Sequence, residues 1–236
     1  MTGLIITLAQ QKGGAGKTTV AAHLAVAFAL SGKAVAVLDT DPQGSLGQWY
    51  ERREASMGAE QIDLIFRTAS GWGARREARA LARDHDVVVL DTPPKSDLEL
   101  RPALEAANVV AIPVQPTPID LWATEPTLAM VDKVGSRAIL ILNRVVHGTL
   151  LGAEIAREIA AMGHPVATTE LGSRTAFAAS MGDGKTAMET QPNSPAAAEI
   201  YDLAIEVLAQ AARSGERHEA IIRPPAPVFA AAAGRR

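Results

Sequence analysis

The chain contains no cysteine among its 236 residues. Disulfides, thiolate-held metals and cysteine-ligated iron–sulfur clusters are therefore excluded. Its five histidines show no paired metal-ligand spacing. Aromatic residues are scarce, at 4%, so the core that a 47% hydrophobic chain can bury is expected to be aliphatic. Excess positive charge is missing too. A net charge of −3 argues against coating nucleic acid by bulk charge and leaves only a local basic patch for that purpose. No apolar run approaches the roughly 18 residues that span a bilayer. The apolar start, Met1 to Ala9, has no basic segment before it and runs straight into a glycine-rich loop. It reads as a buried strand and not a signal peptide, so a cytoplasmic protein is expected.

Strand-length apolar runs alternate with helical patterns along the chain. Strands are expected at Leu4–Ala9, Ala34–Asp39, Ile62–Phe66, Val87–Asp91, Val109–Val114 and Ala138–Asn143, with a weaker one near Pro165–Thr168. Helices are expected at Lys17–Leu30, Ala74–Arg83, Pro118–Val134, Leu150–Met162 and Ser194–Ala212. Strands that are apolar on both faces imply a mostly parallel, twisted sheet with helices on both sides, hence one doubly wound α/β domain over residues 1–213. Residues 214–236 include Pro224, Pro225 and Pro227 and end in an Ala-Ala-Ala-Ala-Gly-Arg-Arg run. A flexible tail is expected there, because the segment lacks the long apolar face of a membrane-surface helix.

The strand Leu4–Ala9 leads into Gln11-Lys12-Gly13-Gly14-Ala15-Gly16-Lys17-Thr18-Thr19, and a helix follows. Glycines allow successive backbone N–H groups to converge on phosphate oxygens, and the helix N-terminus adds its partial positive charge. Lys17 is placed to reach the β- and γ-phosphates, and the Thr18 hydroxyl suits magnesium. Gly13, Gly14, Ala15, Gly16, Lys17, Thr18 and Thr19 are thus the expected nucleotide-binding residues of a P-loop NTPase. The loop departs from the usual pattern, having Gln11 where a glycine is common and a second lysine, Lys12, beside it.

Two apolar strands end in carboxylates, at Asp39-Thr40-Asp41-Pro42-Gln43-Gly44 and at Asp91-Thr92-Pro93-Pro94. Buried carboxylates cost several kcal/mol unless paired or metal-bound, and the C-terminal ends of parallel strands are where ligands bind. Asp91 behind a phosphate loop is the Walker B arrangement, with the carboxylate on magnesium.

Lys12-Gly13-Gly14-Ala15-Gly16-Lys17-Thr18 resembles the deviant Walker A motif of the ParA/MinD family, and Asp39-Thr40-Asp41-Pro42-Gln43-Gly44 is similar to that family's second acidic motif. The resemblance extends from Ile5 to about Ala212. It implies a Mg-dependent ATPase, slow and partner-stimulated, that forms an ATP-sandwich homodimer. In it Lys12 acts on the partner's nucleotide, Lys17 on its own, Asp41 orients the attacking water, Asp39 supports the magnesium shell with Thr18 and Asp91, and Thr92-Pro93-Pro94 senses the γ-phosphate. Ile112 to Ala123 looks like the strand-and-loop segment of the small, plasmid-partition type. There Asp120 and Trp122 lie near the dimer interface, although Trp122 fits core packing as well. Asn143 occupies the family's adenine-contact position, or serves as a turn residue. Arg174, with Arg144, Lys185 and Arg213, matches a DNA-facing surface, or is solvated surface charge.

Within the family, cluster carriers need cysteine, and a MinD-like division regulator needs a membrane-binding C-terminal helix. Only about ten residues precede the phosphate loop, so no N-terminal helix-turn-helix domain is expected. The resemblance then implies a cargo-positioning ATPase on nonspecific, nucleoid DNA, with a cargo-linked activator bearing a basic N-terminal segment and with no membrane partner. A P-loop small-molecule kinase or ligase, with the acidic pair holding an acceptor, is the alternative from another class. A nonhydrolytic scaffold conflicts with Lys17, Asp41 and Asp91.

Overall fold

Seven short strands align in parallel in the order β3-β2-β4-β1-β5-β6-β7. They are β1 Leu4–Leu8, β2 Val35–Asp39, β3 Leu64–Thr68, β4 Val87–Asp91, β5 Val109–Val114, β6 Ala138–Val145 and β7 Leu171–Gly172. The computed structural model describes residues 2–57, 64–94 and 97–213. Every residue of β2, β4 and β5 is buried, as both faces of a helix-covered parallel sheet require. The sheet is parallel throughout, so all its C-terminal ends share one rim. In register, Asp91 lies beside Leu8 on one side and Asp39 on the other.

The connecting helices are α1 Lys17–Leu30, α2 Ser45–Met57, α3 Ala74–Asp84, α4 Asp97–Ala106, α5 Pro118–Val134, α6 Leu150–Ala160, α7 Thr175–Gly182, α8 Ala187–Thr190 and α9 Pro195–Ala212. One face of the sheet is covered by α1 and α9, joined by residues of α2, α7 and α8 in one aliphatic cluster. The opposite face carries α4, α5 and α6 over β5 and β6, and α3 and α4 over β2 and β4. Helix α1 is alanine-rich and buried along nearly its whole length. A helix apolar on all sides belongs inside, and small side chains let it sit close between the sheet and α9. Thr117 and Ser194 cap α5 and α9 through their hydroxyls, each followed by proline in the first turn.

Several elements differ from expectation. Near Pro165–Thr168 there is a single bridge, Leu140 to Val166, because Pro165 has no N–H to continue a ladder. The seventh strand is instead Leu171–Gly172, paired with Asn143 and Val145. Helices α2, α4, α7 and α8 were not anticipated. Strand β3 begins at Leu64, and the expected start at Ile62 lies outside the described residues, as does the expected tail. No helix among the described residues is long and apolar enough to cross a membrane.

Candidate nucleotide-binding site

The loop between β1 and α1 lies at the sheet's central rim. Gly14 and Gly16 have φ of 79° and 96°, conformations that favour glycine. Gly13 and Gly14 are exposed while Lys17 is buried. The Lys17 ammonium donates to the Gln10 carbonyl at 3.1 Å, folding back over the loop it belongs to. Burial pulls its pKa down, and the charges of Asp91 and Asp41 oppose that. The Thr18 hydroxyl donates to Asp91 at 2.6 Å.

Asp91 is almost wholly buried, and burial pushes its carboxyl up to about 7, against the hydrogen bond from Thr18 and aided by the neighbouring charge of Asp39. Asp39 is also raised, first by burial, although the Asp41 and Gly47 amides donate to it at 2.9 and 3.2 Å. Asp41 is half-buried and accepts from the Gln43 amide, so its carboxylate is presented at the rim. The Thr92 hydroxyl donates to the Leu8 carbonyl and that of Thr40 to the Asp91 carbonyl. These bonds lock the loop after β2 to β4, and the loop after β4 to the strand that feeds the phosphate loop.

Two adjacent buried carboxylates with raised pKa values, beside a threonine hydroxyl, fit a hard divalent cation that keeps waters and takes phosphate oxygens as further ligands. No group of three His, Cys, Asp or Glu side chains converges among the described residues. An all-protein metal cage is therefore not what the site offers.

Helix α5 is stitched to the phosphate loop. Gln10 donates to Thr124 and accepts from Thr127, whose hydroxyl also accepts the Gln11 amide at 3.2 Å. Gln115 donates to the Gly14 carbonyl at 2.9 Å. The Lys12 ammonium pairs with Asp120 at 2.6 Å, and the Thr117 hydroxyl donates to the same oxygen. Asp120 is buried, whereas Lys12 stays about one-third exposed. Trp122 is 64% exposed and Ile119 62%, so Trp122 is not a core residue.

Asn143, at the end of β6, donates to the Ala15 carbonyl at 2.8 Å and accepts from the Arg144 amide. A Cβ on Gly16 would lie 2.4 Å from the Asn143 amide nitrogen. Both ends of this side chain are engaged, so it clamps the phosphate loop. Arg144 follows with φ 56°, a left-handed conformation uncommon for a side-chain-bearing residue. Beside them is a pocket lined by Thr19, Gly172, Ser173, Arg174 and Phe177, reaching His23 on α1. His23 is fully buried, sits between the Thr19 carbonyl and the Ala187 amide, and is depressed to about 4 by burial.

Residues 6–187 match the model of the CobQ/CobB/MinD/ParA nucleotide binding domain. The chain belongs to this family. It is similar to the maintenance of carboxysome distribution protein A of Halothiobacillus neapolitanus, at 27% identity over 86% of this chain and 95% of that one. It is also similar to the chromosome-partitioning ATPase Soj of Thermus thermophilus, at 34% identity over 87% of this chain and 95% of that one. The Mg-ADP complex of the septum site-determining protein MinD from Pyrococcus horikoshii shares the fold, with TM-score 0.71 and 22% identity across 91% of this chain and 99% of that one.

The ParA/MinD fold thus brings Lys12, Lys17, Thr18, Asp39, Asp41 and Asp91 to one rim. Of the four basic residues of the expected DNA surface, it brings Arg144 and Arg174 to one pocket beside the phosphate loop, which Lys185 and Arg213 do not line. Arg174 forks onto Glu199 and borders the pocket beside the phosphate loop. Lys185 is half-buried on a turn held by α2, where the Trp49 indole donates to its carbonyl. Arg213 lies fourteen residues beyond Glu199 on α9, about 21 Å along the axis at 1.5 Å per residue. Gln10, Gln115, Thr124 and Thr127 escaped sequence reasoning, since isolated polar residues on a strand end and a helix face carry no local signal of their long-range partners.

Proposed function

We propose that this ParA/MinD-family chain is an ATP-dependent dimerising switch that binds nonspecific DNA in its ATP state and positions a cargo. Hydrolysis is slow, requires magnesium, and is stimulated by a cargo-linked activator with a basic N-terminal segment. The observation that carries the reading is the division of labour between two lysines in one loop. Lys17 is buried and folded over its own loop, whereas Lys12 points away from it, one-third exposed, to the base of α5. A lysine held at the rim beside exposed Ile119 and Trp122 is available to a nucleotide that approaches with a second subunit.

Chemically, the exposed loop amides and Lys17 bind and orient the phosphates, and Thr18, Asp39 and Asp91 would hold magnesium. Magnesium supplies neutralisation of the charge that develops on the phosphate oxygens. Asp41 presents a carboxylate at the rim, where it orients a water for in-line attack. Thr92, bonded to β1, ties the loop after β4 to phosphate occupancy. Contacts to the γ-phosphate exist in only one nucleotide state, which provides the free-energy difference that drives a two-state cycle. The relatives named for carboxysome distribution and chromosome partitioning support a positioning role.

The test is oligomeric state by analytical ultracentrifugation with Mg-ATP and with Mg-ADP. The Asp41→Ala protein should bind ATP, accumulate as dimer and turn over at least about 100-fold more slowly, the scale expected when a positioned catalytic group is lost. Lys12→Ala should bind nucleotide as a monomer. A stable ATP dimer of Lys12→Ala would sink the trans-lysine assignment, and rapid hydrolysis by Asp41→Ala would remove Asp41 from catalysis.

A further inference from the structure

Helix α3 carries arginine at positions 75, 76, 79 and 83, and buries Ala74, Ala78, Leu81 and Ala82. At about 100° per residue, the four arginines fall within roughly a 100° sector turned away from that apolar side. Arg75 pairs with Glu105 of α4 at 2.9 Å, and Arg101 reaches the same carboxylate, so this one acid is shared by two arginines. Arg76, Arg79 and Arg83 are exposed and, among the described residues, make no ion pair or side-chain hydrogen bond. The helix's own acids, Glu77 and Asp84, project about a quarter turn beyond Arg76. At the head of the helix, Trp72 stands in a tight turn, Gly71–Gly73, with 72% of its surface exposed. That turn is anchored, since a Cβ on Gly71 would lie 2.5 Å from the Glu99 Cβ on α4. The indole is therefore held outward by a fixed backbone.

We infer that this arginine face, headed by Trp72, is a contact surface for the phosphate backbone of nucleic acid. In a chain of net charge −3 it is a local concentration of fixed positive charge. All its cations are arginines, whose planar forks match phosphate oxygens in pairs. The apolar side of α3 is spent on the core, which leaves charge without the broad apolar face that a bilayer-embedded helix needs. The surface is the outer side of a helix, so it suits a polyanion laid along it. Trp72 adds a plane on which an unpaired base can stack. The inference rests on the proposed DNA-binding reading for its ligand, and it gives that ligand a surface on the sheet face opposite the one covered by α7 and α9, whose ends and following turn hold Arg174, Arg213 and Lys185.

The experiment is fluorescence anisotropy with a random-sequence duplex of about 40 base pairs, in Mg-ATP and Mg-ADP, across a salt series. It compares the wild type with Arg76→Gln/Arg79→Gln/Arg83→Gln, with Trp72→Phe and with Arg174→Ala/Lys185→Ala. The triple variant should bind at least about tenfold more weakly and lose about two to three from the slope of log affinity against log salt, since each phosphate contact contributes about 0.9. Its ATP turnover without DNA should be unchanged, which reports an intact fold. Binding of single strands should quench wild-type tryptophan emission, and Trp72→Phe should abolish that quenching. Wild-type affinity and slope in the triple variant would overturn the α3 surface while leaving the DNA reading in place. A wild type that binds no DNA in either nucleotide state overturns both, and arginine-dependent binding to vesicles containing phosphatidylglycerol instead would assign the face to membranes.

Discussion

Single residues at the rim are poised against folding stability. Asp91 is raised from 3.8 to about 7 by burial, so the folded protein binds its proton more tightly than the unfolded chain does. That group's contribution is therefore lost as pH rises from about 4 through 7. His23 is lowered from 6.5 to about 4 in the fold, and its contribution is lost as pH falls through the same interval. The two slopes have opposite sign and offset one another between about pH 4 and 6.5. Replacing Asp91 with Asn removes the ionisation cost and keeps groups able to meet Thr18 and Thr92. At pH 8 the nucleotide-free variant should be more stable than the wild type by roughly 2–4 kcal/mol, at 1.4 kcal/mol per pKa unit. At pH 5 it should have lost up to about 2 kcal/mol relative to its own pH 8 value, because the His23 slope is then opposed only by the raised Asp39 and no longer by Asp91. Urea titrations at the two pH values measure both. The same variant should lose the extra stabilisation that Mg-ATP gives over ATP alone; retention of that increment would remove Asp91 from the metal site.

At the scale of elements, legibility followed burial on both faces. Strands β1, β2, β4, β5 and β6 were readable because a doubly buried strand must be apolar at every position, as Val-Val-Val-Leu in β4 illustrates. Helix α1 was readable from the glycine loop that starts it and from its unbroken apolar composition. Helix α2 was not, since it buries only Leu46, Trp49 and Arg53 in thirteen residues, and one of those three is charged. Arg53 reaches across to α8 and the turn before it, pairing with Glu189 of α8 at 2.8 Å and donating to the Gly184 carbonyl. No local pattern announces a partner 136 residues away. The phosphate loop and both acidic strand ends were legible because their chemistry is local, whereas the cis partner of Lys12 and the clamping role of Asn143 arise from elements far apart in sequence. The α2 contact makes its own prediction. Gly184 has φ 67°, and a Cβ there would lie 2.1 Å from the Arg53 backbone nitrogen. Gly184→Ala should therefore cost about 2–4 kcal/mol of unfolding free energy by strain and a lost buried ion pair, measured by denaturant titration. An unchanged midpoint would mean that the turn and α2 are not in contact in solution.

For the whole molecule, the parallel sheet places the phosphate loop and both acidic strand ends at one rim. In the proposed cycle, residues that bind phosphate, orient water and meet a second subunit thus compete for one small area, and Lys12 illustrates the result. Held by Asp120 and reinforced by Thr117, it must exchange a protein carboxylate for a phosphate if it is to act in trans. Replacing Asp120 with Asn keeps a hydrogen-bond acceptor for the α5 cap and weakens the hold on Lys12. In the proposed cycle the dimer of this variant should form at about a severalfold lower protein concentration, the scale of a weakened charge-assisted hydrogen bond. Sedimentation in Mg-ATP reads this directly, and an unaltered dimerisation constant would show that breaking the pair is not a step in assembly.

Helix α1 sets the frame against which any such movement is measured. Lys17 and Thr18 occupy its first turn, and from Val20 to Phe28 it is walled in by the sheet and α9. A rod enclosed on all sides cannot slide without emptying space around it, so it behaves as the stator of the molecule. Hydrogen–deuterium exchange should find the α1 amides the slowest in the chain and indifferent to nucleotide from Val20 onward, with ATP-dependent protection confined to the rim. A nucleotide signal then originates at one fixed end of an immovable helix and can leave only sideways, through the loops that touch it.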